Sequence, residues 1–561
     1  MKKFILHLFL IIFLFNVKFC NSQKNKIRKN ILAVIFPGGQ YKNIYMKKLF
    51  DYSLNHNHEF DYYYDIVIHY SEKKLWEDSL NNDKYRNRYF LYTYGAISDE
   101  IEKYDIDDLP KQNLFKFYQI KLRLYNQDFL DSEVVNRLKG NKKVYSLLIT
   151  DRPNYIAVLL AKELNINNKM YLSLRPLPQL FYQEKNLINP GFIPTLGSKL
   201  TDMLSFKERC SNFYNFLSER IVNFMSNYEL KYLYNVYEYP YINTNIYFYE
   251  NAIVLIQYPK GLTYQMSFPP HIIPLNPVAL SYDKYENKFN NTKFDEFLNA
   301  HKNNIILSKE IFHQMKQDTL IKIMNKMNYI GFIYIYENGE EEFKGNISNL
   351  MIIDYKKYKE FDSYEKILYY FLNKNNICAM ITNSNFNEII ISIFYSKPVI
   401  SFGNGIYQQN INAYVKKNSV GIIINDNDIN NYISYVEAIK KLKAEEDDDE
   451  LEGVNNNIYS KQCSKLSDLL RIFNNNPGKE YNKWLTYGMK NEYNDLKVPF
   501  YEKNNWFINN NYDIIFISFI IISIFFFLLF FVLRNFICTL FCCCCNRSSS
   551  TPPNKNKLKK D

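Results

Sequence analysis

An acid, an amide and a hydroxyl are the groups in this sequence best placed for chemistry, because each directly follows a short apolar run. Asp151 follows residues 145–150, and Asn383 and Ser384 follow residues 378–382. Short apolar runs predict buried strands, and ligands of parallel sheets bind beyond the carboxyl ends of the strands. We therefore expect a ligand cleft beyond the ends of these strands. A second interpretation stays open for Asp151, since a turn residue that caps the next helix has the same position.

Strands and helices alternate around these residues, and this alternation predicts the elements that position them. In the N-terminal half the predicted strands are 31–36, 66–68 and 145–150, and the predicted helices are 41–54 and 157–164. In the C-terminal half the predicted strands are 305–308, 330–336, 351–353, 378–382, 398–402 and 420–424, and the predicted helices are 309–327, 386–395 and 408–417. Buried strands that alternate with helices form parallel sheets covered on both faces. The predicted fold class is α/β, with two doubly wound, Rossmann-like domains facing a cleft.

The chain of 561 residues is too long for one hydrophobic core, and a polar stretch around residues 281–302 marks the division. We predict an N-terminal domain over residues 23–280 and a C-terminal domain over residues 281–443. Residues 444–512 are predicted to hold C-terminal helices that pack back on the body. They begin with an acidic run, residues 445–450, which is typical of a solvated surface loop.

Apolar segments at both ends predict a protein of the secretory pathway. Residues 1–22 carry Lys2 and Lys3 and continue with an apolar run, which is typical of a signal peptide, with an uncleaved anchor as the alternative. Residues 514–533 are twenty residues without a charge, enough for a helix to cross a bilayer core of about 30 Å. Residues 534–561 follow as a basic tail. The positive charge predicts a cytosolic tail and a lumenal body, the single-pass type I arrangement of an endoplasmic reticulum or other secretory membrane.

The tail carries two further signals. Cys538 and the run at 542–545 are candidates for S-palmitoylation, or they are unmodified thiols. Adjacent cysteines do not converge on one ion, so no metal site is predicted there. Lys557 and Lys559 resemble a dilysine retrieval signal of the endoplasmic reticulum, with a merely basic tail as the alternative. At most one disulfide is expected in the lumen, where the cysteines are Cys210, Cys378 and Cys463.

Charge and sequons add two expectations. The formal net charge of +11 is spread along the chain without a basic stripe that alternates with aromatic residues, so nucleic acid is not an expected partner. Asn290 and Asn346 begin sequons for lumenal glycosylation. Together with the signal peptide, these sequons predict a membrane glycoprotein.

Several stretches resemble the UDP-glucuronosyltransferase family of UDP-glycosyltransferases. Residues 191–209, GFIPTLGSKLTDMLSFKER, resemble the family segment SYIPVxxSxLTDxMTFxER. Three other family runs, FDxxxADP…LAExL, FPRPLPPN and THGGxNxxxEAxxxGVP, are similar to residues 145–164, 267–270 and 382–398. Trp484, Trp506, the apolar span and the lysine-rich tail also fall in family order. The resemblance covers almost the whole chain. It implies a GT-B fold, with an acceptor-binding N-terminal half and a UDP-sugar-binding C-terminal half.

The resemblance also implies a catalytic base. In the family a His at the end of the first strand deprotonates the acceptor hydroxyl, and an Asp after a later strand orients it. Asp151 occupies the Asp position, but Gln40 and Tyr41 stand where the His is expected. His56 and His58 lie a helix away and are interpreted as surface residues. A divergent enzyme would then have to use Asp151 itself as the base.

The same resemblance implies a donor site that is partly replaced. Asn387 matches a phosphate-contacting Asn, and Gln408 is the retained half of a sugar-binding Asp-Gln pair. The ribose-binding Glu falls on Ile391, which cannot bind a hydroxyl. The implied donor-binding residues are Ser308, Asn383, Ser384, Asn387 and Gln408. The family needs no cofactor beyond the UDP-sugar co-substrate, and no metal is implied.

The sequence leaves three hypotheses about the function of the chain. The first is a UDP-glycosyltransferase that moves a hexosyl or glucuronosyl group from a UDP-sugar to a lipophilic small molecule or lipid. The second is a catalytically inactive relative that binds a ligand or a partner on the same scaffold. The third is a membrane protein whose resemblance is accidental. Homo-oligomerisation stays open for each.

Overall fold

The structure is a computed structural model of the chain. It describes residues 26–37, 40–81, 83–95, 125–151, 154–174, 193–195, 197–239, 251–263, 268, 270–280, 292–336, 347–358, 361, 363–447, 458–473, 475–496 and 512–545. The predicted signal peptide, both sequon asparagines, Trp506 and the lysine-rich end of the tail lie outside these residues.

The N-terminal half of the chain forms a seven-stranded sheet with helices. Its elements are β1 (Ile27–Ile35), α1 (Gln40–His56), β2 (Phe60–His69), α2 (Lys73–Leu80), β3 (Tyr89–Tyr94), α3 (Val134–Gly140), β4 (Tyr145–Thr150), α4 (Tyr155–Glu163), β5 (Lys169–Ser173), α5 (Phe206–Val236), β6 (Ala252–Gln257) and β7 (Ile272–Leu275). The strand order is β3-β2-β1-β4-β5-β6-β7, with every pair parallel. The strands are apolar on both faces, as β6 (AIVLIQ, fully buried) illustrates, because helices cover both faces of a parallel sheet.

The C-terminal half repeats this plan in a six-stranded sheet. Its elements are α6 (Thr292–Ala300), β8 (Asn304–Leu307), α7 (Gln317–Lys326), β9 (Gly331–Tyr336), β10 (Leu350–Asp354), α8 (Tyr364–Leu372), β11 (Ile377–Thr382), α9 (Phe386–Phe394), β12 (Val399–Ser401), α10 (Ile406–Asn418), β13 (Gly421–Ile423) and α11 (Tyr432–Asp447). The order is β10-β9-β8-β11-β12-β13, again all parallel.

The order of the strands fixes where a ligand can bind. In each sheet the second and third strands are added on one side of the first strand, and the later strands are added on its other side. This is the doubly wound 3-2-1-4-5 order. A crevice opens where the order reverses, beyond the carboxyl ends of the two central strands. That switch point lies between β1 and β4 in the first sheet and between β8 and β11 in the second. The predicted α/β fold with two Rossmann-like halves is confirmed.

The two halves pack against each other through polar contacts. The hydroxyl of Tyr45 in α1 donates to Oε1 of Glu365 in α8 over 2.9 Å, and both groups are buried. The backbone N–H of Gly197 donates to the side chain of Asn410 in α10 over 2.6 Å. The Nζ of Lys417 lies 2.6 Å from Asp202. These contacts hold the sheets in one body.

Two further helices follow the second sheet, α12 (Ile458–Ile472) and α13 (Pro477–Lys490). Helix α12 packs on α9, whereas α13 packs on α1 of the N-terminal half. The hydroxyl of Tyr481 in α13 lies 3.2 Å from that of Tyr64 in β2, and both are fully buried. The chain therefore returns to its first domain before it leaves the body.

Helix α14 (Tyr512–Cys545) belongs to a separate unit that begins at residue 498. Within it, Phe516–Ile537 is a stretch of 22 residues with mean hydropathy 3.1, long and apolar enough to cross a membrane. The helix continues through Cys538 and the run at 542–545, so the cysteine cluster lies on its last turns.

Several boundaries differ from the sequence predictions. Strand β2 covers ten residues where 66–68 was predicted, because its first half is built from aromatic and acidic residues without a clean apolar pattern. Helix α7 begins at Gln317 and not at residue 309, since residues 309–310 form a turn beyond β8 and Ile311–His313 form a separate 3-10 helix. Helix α11 extends to Asp447, so the start of the acidic run, predicted as a loop, is helical.

Candidate functional site

At the first switch point, Asp151 is bound by a lysine. The Nζ of Lys42, in the first turn of α1, lies 2.9 Å from Oδ2 of Asp151. The backbone N–H of Phe36, the residue after β1, donates to Oδ1 over 3.0 Å. Lys42 also donates to the carbonyl oxygen of Phe36. Both carboxylate oxygens of Asp151 are thus engaged by residues that follow β1, the neighbouring strand.

Burial makes this ion pair the main electrostatic feature of the first switch point. The side chains of Lys42 and Asp151 are only 8% and 2% exposed. A lysine ammonium offers three donors and no acceptor, so in this pair it cannot take a proton from a substrate. The role of Asp151 as a base stays a prediction, and this ion pair is the environment in which it would act. The cap interpretation does not match the structure, because Asn154 caps α4 through the N–H of Ala157.

At the second switch point, a buried carboxylate joins the two central strands. Glu388 lies in the first turn of α9 and is 1% exposed. Its Oε1 accepts hydrogen bonds from the hydroxyls of Ser308 and Tyr364, over 2.9 and 2.8 Å. Its Oε2 accepts from the hydroxyl of Thr382, over 2.6 Å. Ser308 follows β8 and Thr382 ends β11, so one carboxyl group ties both strands to α9.

The charge state of Glu388 is set by burial. Burial, and next the charge of Glu310, raises the pKa of Glu388 to about 7, although three hydroxyl donors act in the opposite direction. Burial also raises the pKa of Tyr364 well above its ordinary value, so this phenol remains a donor. Protonation of Glu388 therefore changes near neutral pH, at the point where the resemblance placed a diphosphate.

Asn383 is a predicted donor-binding residue whose amide oxygen lacks a hydrogen-bond partner within the part of the chain that the structure describes. Its Nδ2 donates to the carboxylate of Glu310 over 3.4 Å. Its Oδ1 is buried and has no hydrogen-bond partner among the described residues. An unsatisfied buried amide oxygen is costly and asks for an explanation, such as a ligand donor.

Two other predicted residues turn their side chains into the protein. The hydroxyl of Ser384 contacts Ser401 at 3.0 Å, the carbonyl oxygen of Phe402 at 2.6 Å and Oδ1 of Asn412 at 2.8 Å. Ser384 has a φ of +63°, a strained backbone that aims its side chain inward. The backbone of Ser384 lies just beyond the end of β11, but its hydroxyl group makes hydrogen bonds inside the protein.

Gln408 also has internal partners. Its Oε1 accepts hydrogen bonds from the N–H of Gly405, at 2.9 Å, and from Nε2 of Gln314, at 2.8 Å. The first of these bonds caps α10. Gly403 has a φ of +144°, and a Cβ there would lie 2.7 Å from the same Oε1. The loop before α10 is therefore built around Gln408.

Asn387 meets the other domain. Its Oδ1 lies 3.5 Å from Nε2 of Gln257, the last residue of β6. The backbone N–H groups of Asn387 and Glu388 are directed at Oδ1 of Asn385, the cap of α9. The cap competes with any anion for these donors.

The contacts bring four of the predicted residues into one neighbourhood. Ser308, Asn383, Ser384 and Asn387 surround the β11–α9 turn, and Gln408 begins the next helix. Asp151 lies in the first sheet, at the end of β4. Strands β4, β5 and β6 are neighbours, so Asp151 and Gln257 end strands that are about 10 Å apart. The carboxyl ends of the strands in the first sheet thus carry Asp151 and face Asn387.

Sequence reasoning missed Lys42 and Glu388. Lys42 pairs with a residue 109 positions away, so no local pattern could show it. Glu388 directly precedes a run of isoleucines. It lies one helical turn before Ile391, the position at which the family's Glu was expected. An acid in an otherwise apolar helix was the available signal, because buried acids need partners. His56 and His58 are exposed, as predicted.

Comparison with solved structures decides the architecture. The glycotransferase of kitacinnamycin is 9% identical, with a TM-score of 0.51 over 82% of this chain and 99% of that protein. The calicheamicin glycosyltransferase is 11% identical, with a TM-score of 0.51 over 82% of this chain and 98% of that protein. The chain has a GT-B fold.

A third solved structure is similar to this GT-B body. It is a UDP-glucosyltransferase from Polygonum tinctorium, 11% identical, with a TM-score of 0.50 over 84% of this chain and the whole of that protein. No protein-family model matches the sequence, and no curated protein matches it. The likeness therefore concerns the GT-B architecture, and the chemistry has to be argued from the residues.

Proposed function

We propose that this chain is a membrane-anchored UDP-glycosyltransferase that moves a hexosyl or glucuronosyl group from a UDP-sugar to a lipophilic acceptor. One observation carries the proposal. Two doubly wound sheets face each other in a GT-B fold, and Asn387, beside the second switch point, contacts Gln257 at the carboxyl end of β6 in the first sheet. Ligands of such sheets bind beyond the carboxyl ends of the strands, and the family resemblance assigns the donor to the polar residues after β11 and the acceptor to the first sheet, which carries Asp151.

The amide oxygen of Asn383 supports donor binding. A buried acceptor without a protein partner is stabilised when a water or a ligand supplies the donor, and a uridine diphosphate sugar carries hydroxyl groups that can do so. Ser308, Ser384 and Gln408 then act indirectly, because they shape the turn through Glu388, Asn412 and Gln314. UDP-sugar is the only co-substrate that this scheme requires.

A direct test is the titration of UDP, UDP-glucose and UDP-glucuronic acid into the full chain in detergent micelles. We expect binding, and we expect Asn383→Leu to weaken it by about 5- to 100-fold, the effect of losing one buried hydrogen bond. Asn141→Leu, on the exposed surface beyond α3, is the matched control and should leave affinity unchanged. Absence of binding at millimolar nucleotide would overturn the proposal.

A second candidate function is a silent GT-B protein that binds a nucleotide sugar or a partner without transfer. The Lys42–Asp151 ion pair favours it, since the Asp that orients the family's base is here paired with a lysine. The same titration separates the two candidates when turnover is measured with it. Binding with release of free UDP supports the transferase, whereas binding without turnover over a broad acceptor panel supports the silent protein.

The proposed location is the endoplasmic reticulum or another secretory membrane, with the body in the lumen. Support comes from the apolar stretch Phe516–Ile537 and from the basic residues that follow it in the sequence. In intact microsomes, protease should remove the last residues and spare the body. A protected tail with a digested body contradicts this orientation. Replacing Lys557 and Lys559 should release the protein to later compartments, and unchanged retention would refute the dilysine signal.

A further inference from the structure

Helix α5 exposes an apolar face over its whole length. Ten large apolar side chains on this helix are exposed: Phe206, Phe213, Tyr214, Leu217, Ile221, Phe224, Met225, Tyr228, Tyr232 and Val236. At 100° per residue they fall within an arc of roughly 140°, and from end to end the helix measures about 46 Å. We call this set the α5 stripe. Soluble monomers rarely leave an apolar patch of this extent open to water.

The opposite side of α5 belongs to the core. Its inward residues are buried and include Asn212, Phe216, Leu230, Leu233 and Tyr234. The last three pack in the same cluster as the buried residues of α3 and α4. The helix is also anchored at its start, where Ser205 and Glu208 form a capping box. The stripe is therefore the outward surface of a helix that is held to the body near both ends.

We propose that the α5 stripe is a second membrane contact, which inserts into the interface between lipid headgroups and acyl chains. The stripe has the composition of an interfacial helix, since six of its ten members are Phe or Tyr, and their rings favour the headgroup boundary. The chain also carries Phe516–Ile537, which is apolar enough to span a bilayer, so a membrane surface accompanies the body. This contact is independent of sugar transfer.

Basic residues accompany the stripe near both ends of α5. Lys207 near the start and Lys231 near the end lie on the same arc, and both are exposed. Glu229, at the edge of the arc, is half-buried. Lys207 and Lys231 lie at opposite edges of the arc, so one ammonium flanks the inserted stripe on each side. Anionic lipid headgroups complement both lysines, whose side chains reach the headgroups while their stems cover apolar surface.

A native cysteine allows a test on the full chain. Cys210 is exposed and lies on the same arc of α5 as the stripe. The protein is reconstituted in vesicles of phosphatidylcholine and phosphatidylserine, with the cysteines of α14 replaced by serine, and Cys210 carries an environment-sensitive dye. We expect quenching by lipids that carry a spin label on the acyl chain, and protection from aqueous iodide. The matched control is the same dye on Val144→Cys, an exposed site before β4, in a Cys210→Ser background, where iodide alone should quench.

A second measurement gives the size of the effect. A protease site placed within residues 498–511 lets the folded body be released from its anchor, and vesicle flotation then reports whether the body stays bound. Phe224→Ser and Tyr228→Ser should each lower the partition coefficient by about tenfold or more, as expected for removing one aromatic side chain from the interface. Tyr329→Ser, an exposed tyrosine outside α5, should leave it unchanged. Unchanged thermal unfolding shows that each variant folds.

Two results would overturn the proposal. Dye on Cys210 that is quenched by iodide and not by lipid means that water covers the stripe. Dye that neither agent reaches, together with crosslinking of Cys210 between chains, means that a second copy covers it.

Discussion

The ion pair between Lys42 and Asp151 makes a prediction that a double-mutant cycle can test. The pair is nearly dry, at 8% and 2% exposure, and its 2.9 Å contact is supported by both backbone groups of Phe36. Removing one partner of such a pair leaves a buried charge without compensation, which costs about 3–5 kcal/mol. Lys42→Met and Asp151→Asn should each lower the free energy of unfolding by that amount.

The double variant is the decisive measurement. Lys42→Met with Asp151→Asn removes both charges, and the asparagine can still accept the N–H of Phe36. Replacing a buried ion pair by neutral groups is often close to neutral, so the double variant should lie within about 2 kcal/mol of the wild type. The coupling energy of the two changes is then about 4 kcal/mol or more.

The assay is thermal unfolding in detergent, followed through Trp76, which is buried in the N-terminal half. The matched control is Lys139→Met, which breaks the more exposed pair of Lys139 with Glu163 and should cost less than about 1 kcal/mol. If the double variant is destabilised by the sum of the two single variants, the pair is not coupled and the reasoning fails.

Three further changes should follow from packing and charge. Because burial, and then Glu310, raises the pKa of Glu388 to about 7, the protonated carboxyl stabilises the fold fully below about pH 4.5, and this is lost as the pH rises through about 7. Wild type should therefore lose up to about 3 kcal/mol relative to Glu388→Gln between those limits, and Glu310→Gln should move the transition to lower pH. Gly421→Ala should cost about 1–3 kcal/mol or more, since its Cβ would lie 2.1 Å from a carbonyl oxygen of the adjacent strand. Tyr481→Phe should cost about 1 kcal/mol, through its lost hydroxyl contact with β2.

Each of these changes has a control in the same chain. Glu77→Gln, on the exposed side of α2, should not alter the pH profile of unfolding. Gly140→Ala meets no atom within 4 Å and should be tolerated. Tyr329→Phe, at an exposed tyrosine, should leave the melting temperature unchanged. Equal melting temperatures for Gly421→Ala and Gly140→Ala, or pH profiles of wild type and Glu388→Gln that run parallel, would contradict the packing and charge arguments.

The sequence was sufficient for elements with a clean pattern. β4 was predicted at residues 145–150 and found there, because an apolar run between polar residues leaves one choice. Helix α5 was not predicted, although it has 31 residues. Its outward face is as apolar as its inward face, so the contrast that marks a surface helix is missing. The exposed apolar residues of α5 removed the amphipathic pattern by which the helix could have been predicted. The same residues are the basis for the proposed lipid contact.

The site was harder to predict than the fold, because its partners are distant in sequence. Asp151 and Asn383 were predicted to follow strands, and they do, because the apolar runs that predict β4 and β11 stop where those strands end. Whether a side chain points to a ligand or into the core depends on contacts across the fold. Ser384 shows this, because its hydroxyl is used by Ser401 and Asn412.

An ammonium at the first switch point limits what an acceptor can be. A neutral hydroxyl must lose its proton during transfer, and neither oxygen of Asp151 is free of its partners Lys42 and Phe36. A carboxylate or phosphate acceptor arrives already ionised and needs no base, while a nearby cation attracts it. If the chain transfers sugar, an acid should therefore be a better acceptor than the alcohol of the same carbon skeleton. The margin should approach the 100- to 10,000-fold that general-base help is typically worth. Equal rates for acid and alcohol would mean that a base outside this ion pair acts, and no rate for either leaves the silent GT-B protein as the function.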